Sequence, residues 1–322
     1  MKRLTFAAII IVLALILTIS FLPGCKTTTE TAAETTEAGK PIKIGFTIVC
    51  TDGFYVKKLI ERYNQQIEEN GYESTMLDAN FDTAKQVAQM DNLIAQGVDI
   101  IILMPMDPKV LIPSVKKAKE AGIAVLTIHD KVDPSAEQYT IGYAGADSRK
   151  LGEGAGILME EALGGVGDIV VLGAYYGTAS ITALYDGFKS KISDGIKILG
   201  EGDHGWDRAK SMALMEDFLT KYDKIDGAFV MDDNTGLGAI DAIKAAQRTG
   251  IKVVSVNGQK EAFDAIKAGD LYGTVKQDPV AAVDKAFESI KLYLEGKEVP
   301  QYNYSESPIV TKDNVDSMEP SF

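Results

Sequence analysis

Two cysteines, two histidines and one tryptophan in 322 residues leave little for the chemistry that those residues carry. Two cysteines cannot supply a disulfide framework, and two histidines do not furnish a multi-histidine metal centre. Catalytic signatures are missing as well: there is no Gly-x-Ser-x-Gly elbow, no His-Glu-x-x-His pair and no Gly-x-x-x-x-Gly-Lys phosphate loop. Positive charge is short, with 33 Lys and Arg against 46 Asp and Glu and a net charge of −13. Such a balance repels phosphate backbones and anionic lipid heads, which argues against nucleic acid as a partner. What is present, 46% hydrophobic and 25% charged residues over 34.7 kDa, describes a globular chain with material for two cores.

The N-terminus reads as an address. Lys2 and Arg3 precede an apolar run from Ala7 to Leu17, shorter than the roughly 20 residues of an ordinary spanning helix. Residues 1–24 are assigned to a signal peptide, with a plain transmembrane anchor as the alternative. Leu22-Pro23-Gly24-Cys25 resembles the bacterial lipobox, although Pro23 stands where Ser or Ala is more usual. The resemblance implies that Cys25 is lipidated and becomes the mature N-terminus, which attaches the protein to the membrane through that lipid only. Residues 26–40 (KTTTETAAETTEAGK) hold no large apolar residue and cannot fold around a core, so residues 25–41 form a flexible tether. Loss of residues 1–24 leaves 31 basic residues against 46 acidic ones, a net charge of −15. Cys50, without a partner once Cys25 is lipidated, is expected as a free thiol buried at a strand end.

From Ile42 onward one unit recurs: a short β-branched run, a polar junction, then an amphipathic helix closed by Gly. The first run is Ile42 to Val49. Leu59, Ile60, Tyr63 and Ile67 then share a helical face that stops at Asn70-Gly71, and Val87, Met90, Leu93 and Ile94 share another that stops at Gly97. Ile100 to Leu103 is apolar throughout, as suits a parallel strand covered on both faces. A helix ending at Gly122 leads to a strand over Ile123 to Ile128. After Gly142 to Asp147 the pattern restarts, with strands at Asp168–Leu172, Ile196–Leu199, Ala228–Met231, Lys252–Val256 and Leu271–Val275. About ten βα units exceed one ordinary doubly wound sheet, so two Rossmann-like parallel-sheet lobes are expected, with a single (β/α)₈ barrel as the rival. No sustained fixed-length repeat is visible. Gly152, Gly154 and Gly156 look like a dinucleotide fingerprint, but the spacing is wrong and close helix packing accounts for them better.

Open parallel sheets bind ligands outside the carboxyl ends of their strands, and the junction residues there are not random in composition. They are Asp52, Phe54 and Tyr55; Asp107; His129 and Asp130; Tyr175 and Tyr176; Asp203, His204 and Trp206; Asp232 and Asp233; Asn257; and Gln277. Carboxylates and amides pair with hydroxyls while aromatic faces cover C–H surface, so together they suit a neutral polyhydroxylated molecule. Taken singly, Asp52, Asp82, Asp207 and Asp233 also fit helix N-caps. Tyr63 and Tyr185 lie on helical faces and fit the core. Trp206, in the polar stretch Gly202-Asp203-His204-Gly205, has no core periodicity to explain it. Asp232-Asp233 as a metal or acid–base pair is disfavoured because adjacent side chains point apart.

These junctions resemble those of the periplasmic sugar-binding proteins of the ribose and galactose type, over roughly residues 42–312. The matching positions are Asp52 with the pair Phe54-Tyr55, Trp206-Asp207-Arg208-Ala209, Asp232-Asp233 before Gly236-Leu237-Gly238-Ala239, Asn257-Gly258, and Gln277. The resemblance implies a type I binding-protein fold, with residues 42–146 and 278–305 in an N-terminal lobe and 147–277 and 306–322 in a C-terminal lobe. A three-segment hinge is implied near Ala146-Asp147, Gln277-Asp278 and Ser305 to Pro308. It further implies a ligand site of Asp52, Phe54, Tyr55, His129, Asp130, Tyr176, Trp206, Asp232, Asn257 and Gln277, and no cofactor, metal or catalytic residue. The protein is then an extracytoplasmic monomer that passes a small neutral carbohydrate to the permease and ATPase of an ABC transporter. His129-Asp130 stands where many members have Asp-Arg, Thr182 where an arginine clamps sugar, and Met104 where a polar residue is usual. Losing both arginines puts ribose in doubt, and an acidic cleft disfavours phosphorylated or carboxylated sugars. A sugar-responsive repressor would need a basic headpiece that is missing here. A secreted glycosidase and a ligand-sensing subunit of a receptor or kinase are the remaining alternatives.

Overall fold

The computed structural model describes residues 40–174 and 178–322. Two open six-stranded sheets carry the chain from Pro41 onward. The first holds β1 (Lys43–Ile48), β2 (Glu73–Asp78), β3 (Ile100–Leu103), β4 (Ala124–Ile128), β5 (Gly142–Gly145) and β11 (Tyr302–Tyr304), all parallel, in the order β11-β5-β4-β3-β1-β2. The second holds β6 (Gly167–Gly173), β7 (Ile196–Asp203), β8 (Gly227–Val230), β9 (Lys252–Asn257), β10 (Gly273–Lys276) and β12 (Ile309–Thr311), in the order β12-β10-β9-β8-β6-β7, with only β12 antiparallel. Neither sheet closes on itself, so the barrel alternative falls.

The central strands are buried at nearly every position, because helices cover both faces of each sheet. In the first lobe these are α1 (Phe54–Asn70), α2 (Thr83–Gln96), α3 (Ile112–Glu120) and, arriving later in the chain, α9 (Pro279–Leu294). In the second they are α4 (Ser148–Leu163), α5 (Ala179–Lys189), α6 (Arg208–Lys221), α7 (Asp233–Ala245) and α8 (Lys260–Ala268). Leu59 and Tyr63 of α1 and Met90 and Leu93 of α2 are buried, while Ile60, Val87 and Ile94 pack at the edge of the core. Gly71 and Gly97 close these helices at φ 66° and 63°, where a Cβ is penalised.

The glycines of α4 serve packing and bind no dinucleotide. A Cβ at Gly152 would stand 1.8 Å from the Leu184 carbonyl oxygen of α5, and one at Gly156 2.5 Å from that of Phe188. The two helices therefore touch backbone to backbone, and no side chain fits between them. Tyr185 of α5 is partly buried and packs against the core of its lobe, and its hydroxyl donates to Glu201 at 2.5 Å.

The sequence pattern misses β2, β5, β11 and β12 and shortens β7. β2 and β7 are edge strands with one side open, so the polar stretch Glu73-Ser74-Thr75 and the run Gly200 to Asp203 are tolerated without the apolar signature of a buried strand, while β5, β11 and β12 are only three or four residues long, too short for a pattern to show. The chain passes between the sheets three times. Ala146-Asp147 leads from β5 into α4, Gln277-Asp278 leads from β10 into α9, and Ser305 to Pro308 lead from β11 to β12. The first two passages end on N-caps: Asp147 accepts from the backbone N–H of Arg149, and Asp278 from that of Val280 at 2.9 Å.

Candidate functional site

In each sheet the strand order reverses beside the first strand of the lobe, between β1 and β3 and between β6 and β8. The loops that leave the carboxyl ends of these strands diverge there and leave a crevice. The two crevices share one cleft with a cavity of about 330 Å³, toward the lower end of the roughly 300–1,000 Å³ of small-molecule sites. Nine of the ten ligand residues expected from the sequence border it. The tenth, Tyr176, lies outside the described residues, as does Cys25.

Asp52 sits after β1 and is exposed. It does not cap α1, whose N-cap position is Gly53 at φ 101° with no side-chain hydrogen bond, so the capping alternative fails for this residue. Phe54 follows with 65% of its surface exposed. Tyr55 turns inward, its ring edge-on to His129 at 4.8 Å and to Phe322 at 5.9 Å. Its hydroxyl is buried without a hydrogen-bond partner among the described residues, and burial, reinforced by Asp130 and Asp278, pushes its pKa well above the ordinary phenol value. An orphaned buried hydroxyl at a cleft wall is a group awaiting a partner.

After β4, His129 takes a left-handed φ of 67° and its Nδ1 lies 2.8 Å from Asp130 Oδ2. Burial works against the Asp130 carboxylate, but the His129 charge and hydrogen bonds from His129 and Ser180 outweigh it and hold the pKa below the usual range. Ser180 belongs to the other lobe, so this pairing spans the cleft. Lys131, which the sequence reading passed over, also borders the cleft. Its ammonium donates to the Tyr304 hydroxyl at 2.8 Å and stands 4.7–5.2 Å from the ring centres of Tyr302, Tyr304 and Tyr143.

In the second lobe the acidic doublet divides its work. Asp232 caps α7, accepting from the Thr235 N–H at 2.9 Å through Oδ1, while its Oδ2 accepts from Asn257 Nδ2 at 2.7 Å. Burial raises its pKa against those donors. Asp233, expected as the cap, instead points into the lobe and is 1% exposed. Its Oδ1 accepts from Ser255 at 2.5 Å and Thr274 at 2.7 Å, and its Oδ2 from the Gln259 N–H at 2.8 Å. Burial, aided by the neighbouring Asp232, pushes its pKa up to about 7. The cap moves by one residue because Asp232 has the extended φ/ψ of an N-cap, whereas Asp233 is already the first helical residue. Asp82 and Asp207 do cap their helices, at 3.0 Å to Lys85 N and 2.9 Å to Lys210 N.

Trp206 is 38% exposed at the cleft and holds φ 60°. Its backbone N–H donates to Nδ1 of His204 at 3.1 Å, and His204 Nε2 is 3.3 Å from the Thr235 hydroxyl. Burial drops the His204 pKa to about 4, so a neutral imidazole anchors the turn. Asn257 closes β9 at φ 121°, and Gln277, nearly buried, donates its N–H to the Asn257 carbonyl at 3.1 Å. Met104 borders the cleft as expected from its position, whereas Thr182 is exposed on α5 and does not, leaving Ser180, Ile181 and Leu184 to line that wall. Phe81, Asn234 and Gln259 also border the cleft and were missed. Asn234 and Gln259 had a signal, each standing next to or near a junction residue already singled out.

The arrangement holds many hydrogen-bonding groups and aromatic faces. No group of three His, Cys, Asp or Glu side chains among the described residues is placed to hold a metal ion.

The sequence matches the periplasmic binding protein domain family over residues 44–298. It is 30% identical over 289 residues to the xylitol-binding protein of Mycolicibacterium smegmatis, covering 88% of this chain and 81% of that one. To the ribose import binding protein of Bacillus subtilis it is 28% identical over 291 residues, covering 89% and 94%. Among solved structures, an ABC transporter solute-binding protein of Mycobacterium smegmatis with bound glycerol superposes with a TM-score of 0.80 at 27% identity, covering 88% of this chain and 99% of that one. One from Bacillus halodurans with bound myo-inositol reaches 0.81 at 24% identity, covering 88% and 98%, a likeness of fold. A match over most of the folded chain, relatives aligned over four fifths or more of their length and a shared two-lobed architecture lead to one conclusion: the chain belongs to the periplasmic binding protein family, whose members hold solutes and do not transform them.

Proposed function

We propose that this protein captures a neutral sugar or sugar-like polyol between its two lobes and delivers it to the permease and ATPase of an ABC importer. The observation that carries the reading is the composition of the one cleft: Asp52, Asp130 and Asp232, with the amides Asn257 and Gln277, alternate with exposed aromatic rings contributed by both lobes. Carboxylates already paired to His129 or Asn257 keep lone pairs for ligand hydroxyls, and the rings cover C–H faces. Among the described residues of the wall the carboxylates of Asp52, Asp130 and Asp232 outnumber the one lysine, whose ammonium is held among tyrosines, a balance that disfavours a phosphate or carboxylate group on the ligand. A ligand touching both lobes stabilises their closed arrangement by its differential affinity for that state. The names of the relatives, for xylitol and ribose, agree in chemical class.

The N-terminal residues support an extracytoplasmic address, with signal peptide 1–24, a lipid on Cys25 and a tether to residue 41. The protein acts as a monomer in this scheme. A thermal-shift screen over pentoses, hexoses, polyols and amino sugars tests the function, since ligand at 100 times its Kd stabilises by about 2.7 kcal/mol. A neutral sugar or polyol should raise Tm and be recovered unchanged from the protein. A hydrolysed sugar, or shifts confined to phosphorylated or amino sugars, overturns the reading.

A further inference from the structure

The loops that follow the outer edge strands of the two sheets are built alike. β2 and β7 hold the same place, each beside the first strand of its lobe and at the end of the sheet away from the crossing segments. After β2 the chain reads Ala79-Asn80-Phe81-Asp82-Thr83-Ala84-Lys85, and after β7 His204-Gly205-Trp206-Asp207-Arg208-Ala209-Lys210. Ala79 and His204 are both fully buried. The next two residues are left-handed in each loop: Asn80 and Phe81 at φ 52° and 56°, Gly205 and Trp206 at φ 55° and 60°. The N–H of each aspartate donates back to the buried residue's carbonyl, at 3.1 Å for Asp82 and 3.0 Å for Asp207. Each aspartate then caps the helix that follows. The correspondence is one of position and conformation as well as of residue type.

Phe81 is 47% exposed and Trp206 38%, and both border the cleft, one from each lobe. A bulky side chain at left-handed φ costs about 1–2 kcal/mol, and Gly, Asn or Asp would hold the same backbone with less strain. A strained, half-exposed ring at a cleft mouth is an observation from which function is properly inferred. The loop after β3 adds apolar lining of the same character to the cleft, through Met104, Met106 and Pro108. Their loop is pinned by the buried Gln86 amide, which donates to the Met104 carbonyl at 2.9 Å and accepts from the Met106 N–H at 2.8 Å. The polar groups His129, Asp130 and Gln277 come instead from strand ends near the crossing segments. Asp52 apart, the N-terminal lobe presents hydrogen bonds on the hinge side and apolar surface on the outer side.

We propose that Phe81 is a specificity-determining residue, the N-terminal lobe's counterpart of Trp206, and that the two rings select ligands whose outer end is apolar: a sugar carrying an apolar substituent, as in a glycoside, in preference to the bare sugar. This rests on the reading of the cleft as a sugar site. The probes are D-ribose, D-xylose, D-glucose and D-galactose, each titrated calorimetrically beside its phenyl β-glycoside. For a sugar that binds, the glycoside should bind about tenfold more tightly, the scale of one added aromatic contact. Phe81→Asn, which keeps a residue tolerant of left-handed φ, should abolish that preference and leave the apo Tm unchanged or higher. Phe81→Trp should restore the preference. Free sugars that bind as well as or better than their glycosides overturn the inference and leave the sugar site standing. So does a Phe81→Asn protein with a lowered apo Tm and an intact preference, which would make Phe81 a packing residue. If no probe of either kind binds, this inference falls, and the sugar-site reading falls with it only when the wider thermal screen over sugars and polyols is also negative.

Discussion

Replacing Trp206 by Ala separates ligand contact from packing, because the turn that holds the ring is anchored by main chain. The Trp206 N–H that donates to His204 survives the substitution, and so does the Asp207 cap. The 38% of Trp206 left exposed amounts to about 95 Å² of the roughly 250 Å² that a large aromatic carries. Covering that area at about 25 cal/mol per Å² is worth about 2.4 kcal/mol, or about 50-fold in Kd. The buried remainder sets an upper limit of about 4 kcal/mol on the loss of apo stability, since the unfolded chain is itself partly collapsed. Titration calorimetry with the sugar identified by the thermal screen, at a temperature where the variant is folded by circular dichroism, reads the first quantity, and urea unfolding reads the second. Trp206→Phe keeps a ring face and should fall between wild type and Ala. A folded Trp206→Ala protein that binds with wild-type affinity would refute the contact. In the wild type, the same sugar should change tryptophan emission saturably, with one reporter in the chain.

Asp52→Ala should weaken binding by about 1.5–3 kcal/mol with no change in apo stability, while Asp232→Ala should lose about 1 kcal/mol of apo stability as well, because only Asp232 caps a helix; equal apo stabilities for the two variants would contradict this. Asp233, with a folded pKa raised to about 7 from 3.8, keeps its proton in the folded state after the unfolded chain has lost its own. Its contribution to stability is therefore complete below about pH 4 and declines as pH rises toward about 7, so urea midpoints across that window should fall less steeply in Asp233→Asn. Mass spectrometry of protein from its native membrane should find Cys25 acylated and N-terminal, Cys50 unmodified, and Cys25→Ser released to the soluble fraction.

Strand and helix succession was readable because each central βα unit is self-sufficient as a pattern: Ile100 to Leu103 is buried at every position, and Gly71 and Gly97 stop their helices through local φ alone. The junction residues were readable for a topological reason, since the carboxyl ends of parallel strands must face one side and polar residues placed there must converge. Edge strand β2 escaped, since every position of Glu73–Asp78 is exposed or only partly buried and the run carries no periodic signal.

What tertiary structure decided was the partner each junction residue takes. Nothing local distinguishes Asp232 from Asp233; the Ser255 and Thr274 hydroxyls that claim Asp233 arrive from β9 and β10, residues distant in sequence. The close approach of α4 and α5 gives Gly152 and Gly156 their meaning, which a run of alternate glycines leaves ambiguous. Phe81 drew no notice beside Asp82 because its likeness to Trp206 lies in two successive left-handed residues and in equivalent edge positions of two sheets. Spacing along the chain expresses neither, since backbone dihedrals and strand order are set by packing over the whole lobe.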